Sequence, residues 1–280
     1  MRSGLAKLRE VLTMKKIIVF DLDGTLAPSK QSIDAIMGHL LADLLMRCSV
    51  AVISGGDWPQ FEKQLVNNLP TSSVLTRLLL LPTSGTKLYR YESGWKMIYE
   101  DSLQAGEREA VLAALESALA KTNFRDQKVW GEVIEDRGSQ ITFSGLGQQA
   151  PADAKAAWDP AARKRSKLKA DLDKLLPDFA IRIGGDTSID ITRLGVDKAS
   201  AMKRQSKFSG IEQHDMHFVG DALYSGGNDA AVRDAGYATI AVKNIDQTKL
   251  VIETIIKCGG NHRPVDMTAL RSSKVQTDLG

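Results

Sequence analysis

Ile17-Ile18-Val19-Phe20 is a continuous apolar run that stops at once on Asp21-Leu22-Asp23-Gly24-Thr25. A strand with one wet face would alternate apolar and polar residues. This run has no polar face, so it is expected to be covered on both sides, as the central strands of a parallel α/β sheet are. Asp, Gly and Thr directly after it end the strand and set two carboxylates two positions apart at the carboxyl edge of the sheet, where open α/β sheets hold ligands. A capped turn with solvated acids is the plain alternative. If Asp21 attacks a phosphorus atom, Asp23 is placed to serve as general acid and then base, and the clustered negative charge calls for a divalent cation.

With 280 residues, 43% hydrophobic and 25% charged, the chain is long enough for two domains with full cores. The formal net charge is only +3, and basic and acidic residues are interspersed, so no nucleic-acid partner is expected and a small anionic substrate is. Cys48 and Cys258 lie far apart beside apolar residues, which fits reduced thiols and a cytosolic, cytoplasmic protein. The longest apolar stretch, residues 74–81, contains Arg77 and ends at Pro82, short of the ~20 residues of a membrane span, so no membrane partner is expected. Residues 1–13 are basic and lack the apolar core of a secretory signal, and they are set aside as an N-terminal extension. Nothing in the sequence fixes an oligomeric state.

Apolar residues at 33, 36, 37, 40, 41, 44 and 45 follow one helical face over residues 32–46. A β-branched strand over 49–53 then ends in Ser54-Gly55-Gly56-Asp57, followed by a helix over 58–67. Strand, helix, strand implies a parallel unit, so Ser54 shares the carboxyl edge with Asp21. Its simpler role is a helix N-cap. From about residue 86 the texture changes. A hairpin around Glu92-Ser93-Gly94, a helix over 105–121, strands near 132–134 and 140–143, an exposed loop over 147–157, a basic helix over 161–176 and strands over 180–183 and 188–191 read as an α+β insert. The parallel pattern returns with the strand ending on Gly220-Asp221 and another over 237–242. The expected organisation is a Rossmann-like, doubly wound parallel-sheet α/β core (14–85 and 192–260) interrupted by an α+β cap domain (86–191), with a tail over 261–280.

Four stations thus fall in order: Asp21 and Asp23; Ser54; Lys198 after Gly195-Val196-Asp197; and Gly220-Asp221 followed by Gly226-Gly227-Asn228-Asp229. In order and chemistry they resemble the haloacid dehalogenase-like (HAD) superfamily of Mg²⁺-dependent phosphotransferases, and nearly the whole chain takes part. The long insert, Val52 to Asp57, Gly184 to Asp190 and the double glycine before Asn228-Asp229 resemble most the type IIB members, the eukaryotic-type phosphomannomutases and related sugar phosphatases. The resemblance implies Asp21 as nucleophile and Asp23 as acid/base. It implies Mg²⁺ held by Asp21, the backbone carbonyl of Asp23 and Asp221, with Asp229 supporting or joining. Ser54 and Gly55 would meet the phosphate, and Lys198, otherwise a surface lysine, would hold nucleophile and phosphate together. Arg137, Arg165, Ser188 and Asp190 match the cap positions that contact substrate. One departure stands out: Gln148 occupies the place of a mutase arginine, exchanging a charged fork for a neutral amide. On that ground the expected activity is hydrolysis of a small phosphorylated sugar, with a phosphomannomutase-like transfer as the alternative and a noncatalytic sugar-phosphate sensor as a third reading.

Overall fold

The computed structural model describes residues 16–122, 124 and 128–258; the extension over 1–13 and the tail over 261–280 lie outside the described residues. In chain order the elements are β1 (Ile17–Asp21), α1 (Ala35–Leu45), β2 (Ser49–Ile53), α2 (Trp58–Gln64), β3 (Leu78–Leu81), β4 (Lys87–Tyr91) and β5 (Trp95–Glu100). Next come α3 (Ala105–Leu119), β6 (Ile134–Asp136), β7 (Ile141–Ser144), α4 (Ala152–Trp158), α5 (Arg163–Leu175), β8 (Phe179–Gly184) and β9 (Ser188–Arg193). The chain continues through α6 (Lys198–Ser209), β10 (Met216–Gly220), α7 (Ala230–Asp234), β11 (Ala238–Ala241) and α8 (Ile245–Cys258). It divides into two compact units, one of residues up to Tyr99 and from Asp197 on, the other Glu100–Val196.

The first unit carries a seven-stranded sheet in the order β11-β10-β1-β2-β3-β4-β5. Its strands from β11 to β3 are parallel, and every residue of β1, β2, β3 and β10 is buried, as their predominantly apolar character demands, with Ser49 and His217 buried among them. Side chains alternate across the sheet. Ile18, Phe20, Val50 and Val52 join Met37, Leu41 and Leu44 of α1 in one core, while Ile17, Val19, Ala51 and Ile53 join Met202 of α6 in the other. Asp34 caps α1 by accepting from the Met37 N–H at 2.8 Å, but Ile36, expected on the inner face, is 62% exposed. The second unit has a four-stranded antiparallel sheet, β6-β7-β9-β8, with its own core of Leu115, Phe143, Leu168, Leu172 and Ile189.

Three expectations need correction. The change of texture near residue 86 assigns the hairpin β4–β5 to the insert, yet it extends the core sheet: Leu79 pairs with Arg90, Leu80 with Tyr89, and Leu88 is buried beside Leu79 and Leu81. Alternating strands announce a hairpin without saying which sheet they join, so the insert begins near residue 100 and, with β9 reaching Arg193, ends near 196. The loop over 147–157 is not simply exposed: α4 starts within it, Ala150 is buried, and the helix ends just beyond it on Trp158, which packs against Phe124. The strand expected near 132–134 is β6, two residues later. Cys48 is unbridged and buried, and burial pushes its thiol up to about 12; the Cys258 side chain lies outside the described residues. Among the described residues no helix is long and apolar enough to cross a membrane.

Candidate active site

Asp21 is the last residue of β1, which has β2 on one side and β10 on the other, both parallel to it. Strands lead away from β1 in both directions, so its carboxyl end is the switch point where such sheets open a crevice. Phe20 pairs with Val219 and Asp21 with Ile53, which sets Asp221 and Ser54 one step past the sheet on either side of Asp21. Register alone brings three of the expected residues to one edge.

Lys198 arrives from α6, whose first turn is closed by a capping box between Asp197 and Ser200. Its Nζ lies 2.5 Å from Asp21 Oδ1 and 2.5 Å from Asp229 Oδ1, and all three side chains are buried. Asp229 Oδ2 accepts from the Ala222 N–H at 3.1 Å. Asp221 is fixed through Thr25: its N–H donates to Thr25 Oγ1 at 3.1 Å, and that hydroxyl donates back to Asp221 Oδ1 at 3.4 Å. Gly24, at φ +90°, permits the approach, since a Cβ there would sit 2.5 Å from Asp221 Oδ2.

One ammonium among three carboxylates leaves excess negative charge. Burial pushes the Asp21 carboxyl up to about 7 against the pull of Lys198, with Asp229 adding to the rise. Burial, then Asp229, also raises Asp221. Burial draws the Lys198 ammonium down, but Asp21 and Asp229 outweigh it and hold it above its ordinary value. Oxygen atoms of Asp21, Asp221 and Asp229 come within 4.8 Å of one another, and Asp21 Oδ2 is buried with no hydrogen-bond partner among the described residues. An orphaned buried carboxylate oxygen amid hard oxygen donors fits a divalent cation such as Mg²⁺.

The Asp23 side chain is outside that trio. Its Oδ2 accepts from Ser54 Oγ at 3.2 Å and Gln60 Nε2 at 2.9 Å, and its Oδ1 from the Lys30 N–H at 2.7 Å and Gln64 Nε2 at 3.3 Å. Ser54 is therefore at the expected edge with its hydroxyl turned to Asp23. Its turn with Gly55 is braced from behind, where the Thr83 and Ser84 N–H groups donate to the Gly56 and Ser54 carbonyls. Gln60, Gln64 and the Thr25 contact were missed in the sequence. Amides four apart on the helix after the Ser54 turn were the available signal.

In the second unit Arg165 donates through Nε to Asp159 Oδ2 at 3.1 Å and through Nη1 to the Gly185 carbonyl. Ser188 opens β9 opposite Ser144, and Asp190 Oδ1 accepts from Thr142 Oγ1 at 2.8 Å and Gln140 Nε2 at 3.0 Å. Gln148 follows the 144–147 turn, which the Ser144 hydroxyl closes by donating to the Gly147 carbonyl at 3.1 Å; its own N–H donates to the Glu132 carbonyl at 3.1 Å, and its buried Nε2 has no partner among the described residues. Arg165, Ser188 and Gln148 thus gather at one end of this sheet. Arg137 lies at the other end of β7, bound to Glu135 at 2.7 Å.

A profile of the eukaryotic phosphomannomutase family matches residues 37–258. The chain is 24% identical to a probable phosphomannomutase of Caenorhabditis elegans over 87% of this chain and 96% of that protein. It is 26% identical to the phosphomannomutase of Saccharomyces cerevisiae over 76% of this chain and 83% of the other. In fold it is similar to an N-terminally truncated IMP-nucleotidase of Plasmodium falciparum (TM-score 0.68, 15% identity, 91% of this chain and 74% of that one). The C-terminal domain of the C. albicans trehalose-6-phosphate phosphatase is similar too (TM-score 0.61, 16% identity, 91% and 96%). The core is of the HAD type.

Proposed function

The chain belongs to the eukaryotic phosphomannomutase family, and from that premise we propose that it moves a phosphoryl group between hydroxyls of a hexose phosphate, such as mannose 1- and 6-phosphate. The match over residues 37–258, which takes in the whole insert, carries this reading and favours the mutase alternative over the hydrolysis expected first. Asp21 supplies the attacking oxygen, with Lys198 fixing its carboxylate through Oδ1. Asp23 gives a proton to the leaving oxygen and takes one from the hydroxyl that later accepts the phosphoryl group. Ser54 and Gly55 line the phosphate, and Arg137, Arg165, Ser188, Asp190 and Gln148 set which sugar is accepted. Bound through Asp21, Asp221 and Asp229 with the Asp23 carbonyl, Mg²⁺ would neutralise charge on the transferring group. Mg²⁺ is expected to be required, with Ca²⁺ inactive because of its larger, looser shell. Asp221→Ala should raise the Mg²⁺ needed for half-maximal rate at least about tenfold. Full activity in chelator would remove the metal from the mechanism.

Hydrolysis remains as a second reading because the cap cations are occupied: Arg137 pairs with Glu135, Arg165 with Asp159, and Gln148 is neutral. Feeding the protein mannose 1-phosphate with catalytic hexose bisphosphate and following both products by ³¹P NMR separates the two. Isomerisation is expected to exceed phosphate release, and Gln148→Arg to raise that ratio about tenfold, the worth of one charge-assisted hydrogen bond to phosphate. Phosphate release with little isomerisation would hand the assignment to hydrolysis.

A further inference from the structure

Asp23 sits in the turn after β1, and what holds its side chain comes largely from a different element. Its two oxygens take four donors, and two of these, Gln60 and Gln64, project from the same face of α2 one turn apart. Gln64 is buried and has a second task, since its Nε2 also donates to the Gln31 carbonyl at 2.7 Å. Gln60 Nε2 is spent on Asp23. The sequence makes room for that contact. A Cβ at Gly56 would run into the Gln60 carboxamide, and Gly56 does not have a left-handed φ that would otherwise require glycine. Space, reach and donor chemistry thus converge on one carboxylate oxygen.

We propose that Gln60 is a positioning residue for the phosphoryl transfer: its amide, lying over Gly56, aims the Asp23 carboxylate so that its proton moves along one line to and from the reacting hydroxyl. This rests on the reading of Asp23 as acid/base. The Gln60 amide is directed at the Asp23 carboxylate, so its loss should slow the proton-coupled step and leave ground-state binding alone.

The test compares Gln60→Met, which keeps the length and removes the donor, with Gln60→Lys, which restores a donor of similar reach. Steady-state rates on mannose 1-phosphate with hexose bisphosphate are combined with trapping of the phosphorylated enzyme. Gln60→Met is expected to lower kcat by about 10- to 100-fold with KM within about twofold, and to raise the fraction of phosphoenzyme. Gln60→Lys should recover most of kcat. Gly56→Ala, which displaces the amide without altering it, should repeat the kcat loss and serves if Gln60→Met fails to fold. Equal effects of Met and Lys, or a change in KM with kcat intact, would overturn the proposal. Asp23→Asn separates the two claims: if it is inactive while Gln60→Met keeps its kcat, only the positioning role falls. If Asp23→Asn turns over normally, the acid/base reading falls and the proposal with it.

Discussion

Asp21→Asn is expected to abolish both isomerisation and phosphate release, by at least about 10⁴-fold, because an amide oxygen cannot take the phosphoryl group and the remaining residues have nothing to act through. The fold should survive. Lys198 keeps Asp229 as partner at 2.5 Å, and the variant removes a carboxylate whose charged form burial disfavours. The thermal midpoint should therefore stay within about 4 °C of wild type, the shift of roughly 1 kcal/mol in a chain of this size. Acid quenching after incubation with substrate should trap phosphoprotein from wild type and none from the variant. Retained turnover would transfer the nucleophile to another group.

The central sheet and the edge at which the candidate site residues meet could be read from the chain because their signals are local. A strand buried on both faces is predominantly apolar, and where it ends on Asp21 or Gly220-Asp221 its last side chains lie at the sheet edge. Lys198 was legible only through the order of motifs, since nothing in Gly195-Val196-Asp197-Lys198 says that the ammonium will reach residues 177 and 31 positions away. What failed to show was partnership. The hairpin β4–β5 pairs with a strand before it rather than with the insert after it, a choice made by Leu88 burying against Leu79 and Leu81. Helix α8 also passed unread, although Ile245, Thr248, Ile252 and Ile255 follow a helical period and Ile252 and Ile255 are buried in the core that α1 faces. The donors on Asp23 were hidden for a related reason: an amide in a helix is ordinary until the fold shows what it faces.

Lys198→Met should have the larger consequence for stability. The ammonium is enclosed between Asp21 and Asp229, with Asp221 beside them, and the three side chains of the pair contacts are no more than 5% exposed. Replacing it by an apolar chain of similar length leaves two buried carboxylates facing each other without a cation, a loss on the order of 3–5 kcal/mol when one partner of a buried pair is removed. In a chain of this size that lowers the thermal midpoint by roughly 10 °C or more. Turnover should vanish as well, since Asp21 loses the contact that fixes its carboxylate. Two further measurements separate charge from packing. The double variant Asp21→Asn with Lys198→Met should be more stable than Lys198→Met alone, because removing one acid relieves the repulsion that the first change exposed. Added Mg²⁺ should raise the midpoint of Lys198→Met more than that of wild type, a divalent cation among the carboxylates replacing the lost charge. A midpoint unchanged by Lys198→Met, or a double variant no more stable than the single one, would mean that the lysine does not hold these acids together.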